Sequence, residues 1–289
     1  MMKWIVTFLV LLAMPVWADS QTVTLGQRSY TVDLPVGVAH APIILALHGG
    51  GGNPAQFARN SSLTGPATAK GYAVIYPAGS GRLAKMLTWN GGYCCAYAAK
   101  AGIDDVAFLD SVVADAAARF GVDASRVYVT GMSNGGLMAE TYGAARAGSL
   151  RAVASVSGSL DVDHHRITGP VPILVIHGMA DDHVPFAGGI GPEGKVPTNW
   201  ASVDQVIGAF VKAAGVPLLK TTSIIDPAPD DTRVLATDYS DASGKVMVRL
   251  LAIEGGGHVW PGGKRAGRDG GTADLDATTE VLRFFALHP

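Results

Sequence analysis

The sequence predicts an α/β fold, a mainly parallel central sheet with helices on both faces and no large cap domain. Two observations predict it. Strand-like apolar runs alternate with helix-like runs from one end of the chain to the other, the pattern of βα units that winds a parallel sheet. The composition, 48% hydrophobic and 16% charged, suits a large core and is too mixed for disorder or a fibre.

The elements follow in order. Met1–Lys3 is a short basic start, Trp4–Met14 is almost wholly apolar, and Val16-Trp17-Ala18 puts small residues at its first and third places. This predicts a signal peptide over residues 1–18, cleaved after Ala18, because the apolar run is too short for the roughly 20 residues of a spanning helix. No linker, repeat or low-complexity stretch interrupts residues 19–289, which are expected to form one domain. Strands are expected at Tyr30–Leu34, Ile43–Leu47, Ala73–Tyr76, Arg126–Thr130, Ala152–Val156, Ile173–Ile176 and Val246–Ile253. Helices are expected at Asp104–Phe120, Asn134–Arg146, Val203–Ala214 and Thr272–Leu287, the first with Asp104 and Asp105 as caps and Gly121 as its stop. Gly79–Gly102, Pro185–Trp200 and Gly255–Gly271 read as long loops, a class that is usually functional.

The formal net charge of −2 leaves no electrostatic footprint for nucleic acid or an anionic membrane, so neither is an expected partner. The two cysteines, Cys94 and Cys95, are neighbours. In an oxidising compartment they could close a small vicinal disulfide, and two free thiols are the alternative.

Gly131-Met132-Ser133-Asn134-Gly135-Gly136 carries the strongest chemical signal. It follows the β-branched run Val127–Thr130 and precedes a helix former, which makes it a G-x-S-x-G nucleophile elbow with Ser133 at the tip. The helix starting there aims free N–H groups at a developing oxyanion. Upstream, Ile43–Leu47 runs into His48-Gly49-Gly50-Gly51-Gly52-Asn53. The Gly50 and Asn134 N–H groups are therefore the expected oxyanion hole, with His48 a structural histidine. A P-loop is excluded because its lysine and Ser/Thr are missing.

A nucleophilic serine needs a base, and the base an orienting acid. In a strand–elbow–helix hydrolase they follow in the order Ser, Asp or Glu, His. Val171–Ile176 leads into His177-Gly178-Met179-Ala180-Asp181-Asp182-His183, where Asp181 is the expected acid, Asp182 the alternative, and Asp182 and His183 otherwise solvated. Gly255-Gly256-Gly257-His258-Val259-Trp260-Pro261-Gly262 supplies His258 as base. No pair of histidines at helical i, i+4 spacing and no dinucleotide fingerprint is present, so neither metal nor cofactor is expected.

These motifs, together with Trp89-Asn90 and Asp104-Asp105-Val106-Ala107-Phe108-Leu109, occur in an order that resembles the exported polyhydroxybutyrate-depolymerase-like esterases. Those are relatives of the feruloyl and acetylxylan esterases, in the α/β-hydrolase superfamily. The resemblance implies Ser133, Asp181 and His258 as the triad and a small or oligomeric ester as substrate. It also implies an exported enzyme, periplasmic or extracellular. The chain ends at its own last helix, which argues for soluble esters over solid polymer. Trp89 and Trp260, with Tyr93, Tyr97 and Trp200, are expected at the substrate rim, where an aromatic ring or sugar could stack, with the alternative that two or three of them simply pack the loops. A serine peptidase of the same fold and a non-catalytic polymer- or glycan-binding protein are the competing classes.

Overall fold

A computed structural model describes residues 20–194, 196–264 and 270–289. The leader expected at 1–18 and part of the Gly255–Gly271 loop lie outside the described residues. In chain order the strands are β1 (Gln21–Leu25), β2 (Arg28–Asp33), β3 (Pro42–Leu47), β4 (Ala73–Pro77), β5 (Ser80–Leu83), β6 (Met86–Thr88), β7 (Asp123–Met132), β8 (Leu150–Val156), β9 (Ile173–Gly178), β10 (Gly189–Ile190), β11 (Asn199–Trp200), β12 (Leu219–Ile225), β13 (Arg233–Ser240) and β14 (Val246–Glu254). The helices are α1 (Pro54–Ser61), α2 (Thr64–Ala69), α3 (Ala96–Lys100), α4 (Asp105–Phe120), α5 (Asn134–Ala145), α6 (Val203–Ala213) and α7 (Ala277–Ala286).

Ten strands form one sheet in the order β1-β2-β4-β3-β7-β8-β9-β14-β13-β12. Its centre, from β4 to β14, is parallel, and antiparallel pairs finish both edges. In β3 the residues Ile43, Leu45 and Leu47 face α4, α5 and α6, while Ile44 and Ala46 face α1, α2 and α7. Because side chains alternate across a strand, both faces of β3 are buried, which is why it reads as a continuous apolar run.

Asp104 caps α4 as expected, accepting the Ala107 N–H at 2.9 Å. Asp105 does not cap. It is buried, accepts the Asn90 N–H at 2.7 Å and pairs with Arg28 at 2.7 Å. The last helix starts at Ala277 rather than Thr272. Asp276 caps it through the Thr279 N–H, and Thr272 and Asp274 are held by Thr232 and Ala228 in a turn. The edge strands β1 and β12, and β13 beside β12, went unforeseen because one or both of their faces meet water and their apolar pattern is weak. Gly79–Gly102 is not wholly irregular, since it holds the β5–β6 hairpin and α3. Cys94 is bonded to Cys95 and sits in a small cluster with Leu137, Val184 and Trp200.

Candidate active site

The carboxyl ends of the central parallel strands carry every residue of the predicted triad. Ser133 follows β7 with φ 58° and ψ −125°, left-handed backbone that a serine occupies only under constraint. Its N–H is tied to Val156 O at 2.8 Å, at the end of the neighbouring β8. The constraint comes from crowding around the turn. A Cβ on Gly131 would strike the Gly135 carbonyl, and one on Gly135 would strike the carbonyls of Leu47 and His48. Glycine at both places lets β3, β7 and α5 converge on Ser133.

Gly49 and Gly50, the first two glycines after His48, close over the elbow. A Cβ on Gly49 would stand 3.6 Å from the Ser133 Cβ, and one on Gly50 3.4 Å from the Asn134 Cβ. The predicted oxyanion pair, Gly50 and Asn134, is thus brought together, with Asn134 in the first turn of α5, where N–H groups lack intrahelical partners. His48 is buried and structural. Its Nδ1–H donates to Gly49 O at 2.9 Å and its Nε2 accepts the Gly79 N–H at 3.0 Å. Burial drives its pKa down to about 4, so the ring is neutral.

Asp181 and His258 meet across the sheet edge. His258 Nδ1–H donates to Asp181 Oδ2 at 2.8 Å, while Asp181 Oδ1 accepts the N–H groups of His183 (2.9 Å) and Val184 (2.8 Å). Burial alone would raise the Asp181 pKa. The hydrogen bond and charge of His258, then His177 and the Val184 N–H, outweigh burial and hold it below the usual carboxylate value. The two loops are knit by backbone bonds, Met179 N–H to Ile253 O and Ala180 N–H to Gly256 O, both 2.8 Å. Gly178 permits this, since a Cβ there would collide with the Gly256 and Gly257 carbonyls. His177 lies beneath, buried and kept neutral by burial, donating Nε2–H to Val184 O at 2.8 Å.

Asp182 is exposed as expected, but His183 is not a free loop residue. Its ring stacks on that of His258, with centroids 4.7 Å apart and planes 12° apart. Asp181, Asp182 and His183 form a cluster of the kind that can hold a metal. Here Asp181 accepts three hydrogen bonds and Asp182 accepts one from His183 Nδ1 at 2.6 Å.

The rim expectation fails for both tryptophans. Trp89 is fully buried under the elbow. Its N–H donates to Asn134 Oδ1 (2.8 Å), its carbonyl accepts Asn134 Nδ2–H (3.0 Å), and its indole N–H donates to His48 O (2.9 Å). Trp260 is buried in the lower core, donating to Thr278 Oγ1 at 3.1 Å and meeting Phe57 edge-on. An indole that can bury its ring and satisfy its N–H gains more inside than at a rim. Tyr93 is likewise engaged, its hydroxyl on Ser159 O at 2.8 Å and its ring edge-on to Trp200. Of the five aromatic residues only Tyr97 is exposed.

This sheet, with an elbow after a central strand and an Asp–His pair on the neighbouring loops, defines the α/β-hydrolase class. The family model described as Esterase PHB depolymerase matches residues 28–186, over half of the chain, and the protein belongs to that family. A protein named "Putative esterase NocK" from Nocardia uniformis subsp. tsuyamanensis is 31% identical over 234 residues, covering 77% of this chain and 66% of its own length. The chain therefore spans just under two thirds of that relative. Feruloyl esterase C of Emericella nidulans is 28% identical over 236 residues, 79% of this chain and 76% of its own. Among solved structures, the acetyl xylan esterase from Aspergillus awamori aligns with a TM-score of 0.62 at 17% identity, covering 93% of this chain and 100% of its own, a likeness of fold. Among the described residues no helix is long and apolar enough to cross a membrane.

Proposed function

We propose that the protein is an exported serine esterase that cleaves carboxylic esters through an acyl-enzyme on Ser133. The observation that carries this reading is the 2.8 Å bond from His258 Nδ1 to the buried Asp181 carboxylate, at the same edge of the sheet as a strained serine. An ionised carboxylate only accepts, so Nδ1 holds the proton and Nε2 is left as the base. His258 takes the Ser133 proton as the hydroxyl attacks the ester carbonyl. The Gly50 and Asn134 N–H groups receive the oxyanion, each worth about 3 kcal/mol of barrier. His258 then protonates the alcohol, and water repeats the cycle on the acyl group.

The substrate class rests on the relatives: feruloyl, acetyl-carbohydrate and 3-hydroxybutyrate esters are the set to examine. Hydrolysis of one ester of each kind and of p-nitrophenyl acetate, with Ser133→Ala as control, tests the reading. Preference for one class, abolished in a folded Ser133→Ala, supports it; a variant as fast as the parent overturns it. Export is supported by the leader-like first 18 residues. Protein recovered outside the cytoplasm should begin at Asp19, and an intact Met1 there would count against cleavage.

A further inference from the structure

Between Asp33 and Asp104 the sequence holds no aspartate or glutamate, although the whole chain carries 24. The same stretch holds Arg59, Lys70, Arg82, Lys85 and Lys100. Three of these cations, Arg82, Lys85 and Lys100, lie exposed on the β5–β6 hairpin and α3. Among the described residues none of the three is in an ion pair.

Between this hairpin and α3 is a groove of about 440 Å³. Leu83, Met86, Ala96 and Tyr97 form its apolar walls, and Arg82 and Lys100 bring positive charge to it. Leu83 and Met86 are 61% and 57% exposed, large side chains held in water beside one another. A carbohydrate site would want several fixed donors and acceptors, whereas this lining is aliphatic with charge added. That combination fits an apolar chain ending in an anion.

The groove is wired to the oxyanion loop. Leu87, the next residue after Met86, exchanges backbone bonds with the loop: Gly51 N–H to Leu87 O at 2.8 Å and Leu87 N–H to Gly52 O at 2.9 Å. Two residues further on, Trp89 holds the side chain of Asn134. Three residues of extended chain, about 10 Å, thus lead from Met86 to Trp89, the residue buried beneath the elbow.

We propose that this groove is a substrate subsite for an ester bearing a terminal carboxylate. Arg82 and Lys100 read the carboxylate, and the aliphatic wall takes the chain between it and the scissile bond. The proposal rests on the serine-esterase reading and adds the charge and length of the preferred substrate. No residue lining the groove belongs to the elbow or to the Asp181–His258 pair, so a carboxylate held there stands apart from Ser133 and longer linkers are favoured over short ones.

The test uses p-nitrophenyl monoesters of succinic, adipic, suberic and sebacic acids beside their carboxamide-capped counterparts. At low salt the suberate monoester should show a KM at least about fivefold below its capped twin, and succinate should show no such gap. The gap should close as salt screens the pair. Arg82→Gln and Lys100→Gln should each raise KM for the free acid severalfold while p-nitrophenyl acetate turnover stays unchanged. Arg82→Glu with Lys100→Glu should shift preference to a trimethylammonium-capped ester. Equal KM for free and capped esters, or a preference that survives both glutamine substitutions, overturns the subsite. Absent p-nitrophenyl acetate hydrolysis, or its persistence in Ser133→Ala, overturns the esterase reading instead, so the two failures are distinct.

Discussion

His183 lies flat against His258, ring centroids 4.7 Å apart and planes within 12°, while its own backbone N–H donates to Asp181. One residue therefore braces both the candidate acid and the candidate base. Its ring is held in turn by Asp182. His183→Ala should lower kcat about tenfold with little change in KM, since a base freed to tilt loses alignment with the nucleophile. His183→Phe keeps a flat ring and should restore most of the loss. Steady-state kinetics of the pair separate packing from charge, and a phenylalanine variant as slow as alanine would refute the packing role.

Asp181 and Asp182 are neighbours with opposite expectations. Asp181→Asn keeps an acceptor for the His183 and Val184 N–H groups but turns the His258 tautomer, so kcat should fall by about 10⁴ with the fold intact. Asp182→Asn should cost less than about tenfold. Circular dichroism with kcat on the two variants checks this, and equal losses would reassign the acid.

Trp89 acts from beneath the site, through bonds to His48 and Asn134. Trp89→Phe removes the indole donor to His48 O and should lower kcat about tenfold for every ester alike. A rim residue would instead change KM, and differently for aromatic and aliphatic esters. A substrate panel distinguishes the two outcomes.

Asp105 is buried and its partner Arg28 is largely covered, with the Arg28 guanidinium 3.4 Å from the Phe108 ring centre. Burial is the largest influence on both, lowering the Arg28 pKa and raising that of Asp105. Asp105→Ala leaves a largely covered cation without its counter-charge and should cost about 3 kcal/mol, against about 1 kcal/mol for the capping Asp104→Ala. Urea unfolding measures both, and similar costs would show that the pair contributes no more than a cap.

Glu140, on the far side of α5 from solvent, is fully buried, and burial pushes its pKa up to about 8 against the opposing Ser155 hydroxyl and Leu160 backbone. The folded state then keeps a proton that the unfolded chain releases near its ordinary value of 4.5. Between those limits unfolding releases a proton, so this group's contribution to stability declines as pH rises and is exhausted above about 8. Glu140→Gln carries no such proton. The Tm of the variant minus that of the parent should grow from pH 5 to pH 8, and parallel curves would contradict it.

Much of the site was legible because its signals are local. Gly131 and Gly135 flank Ser133 at fixed offsets, since strand and helix can cross there only without side chains, and the apolar run of β3 announces burial on both faces. The position of Asp181 just past β9 and of His258 just past β14 follows from the same logic, because parallel strands deliver their following loops to one edge.

The rest depended on partners distant in the chain. Trp89 and Trp260 look alike in sequence to rim residues, and only their bonds to Asn134 and Thr278, far along the chain, take them inside. Asp105 reads as a cap until Arg28 from β2 reaches it. His183 reads as solvated until the last loop folds back over it. By itself the sequence determined the parallel sheet, the serine elbow and the order of the candidate acid and base, because backbone geometry near a residue is set by its neighbours. Only the tertiary structure decided which aromatic and charged side chains are buried, because burial depends on which distant surfaces close over them.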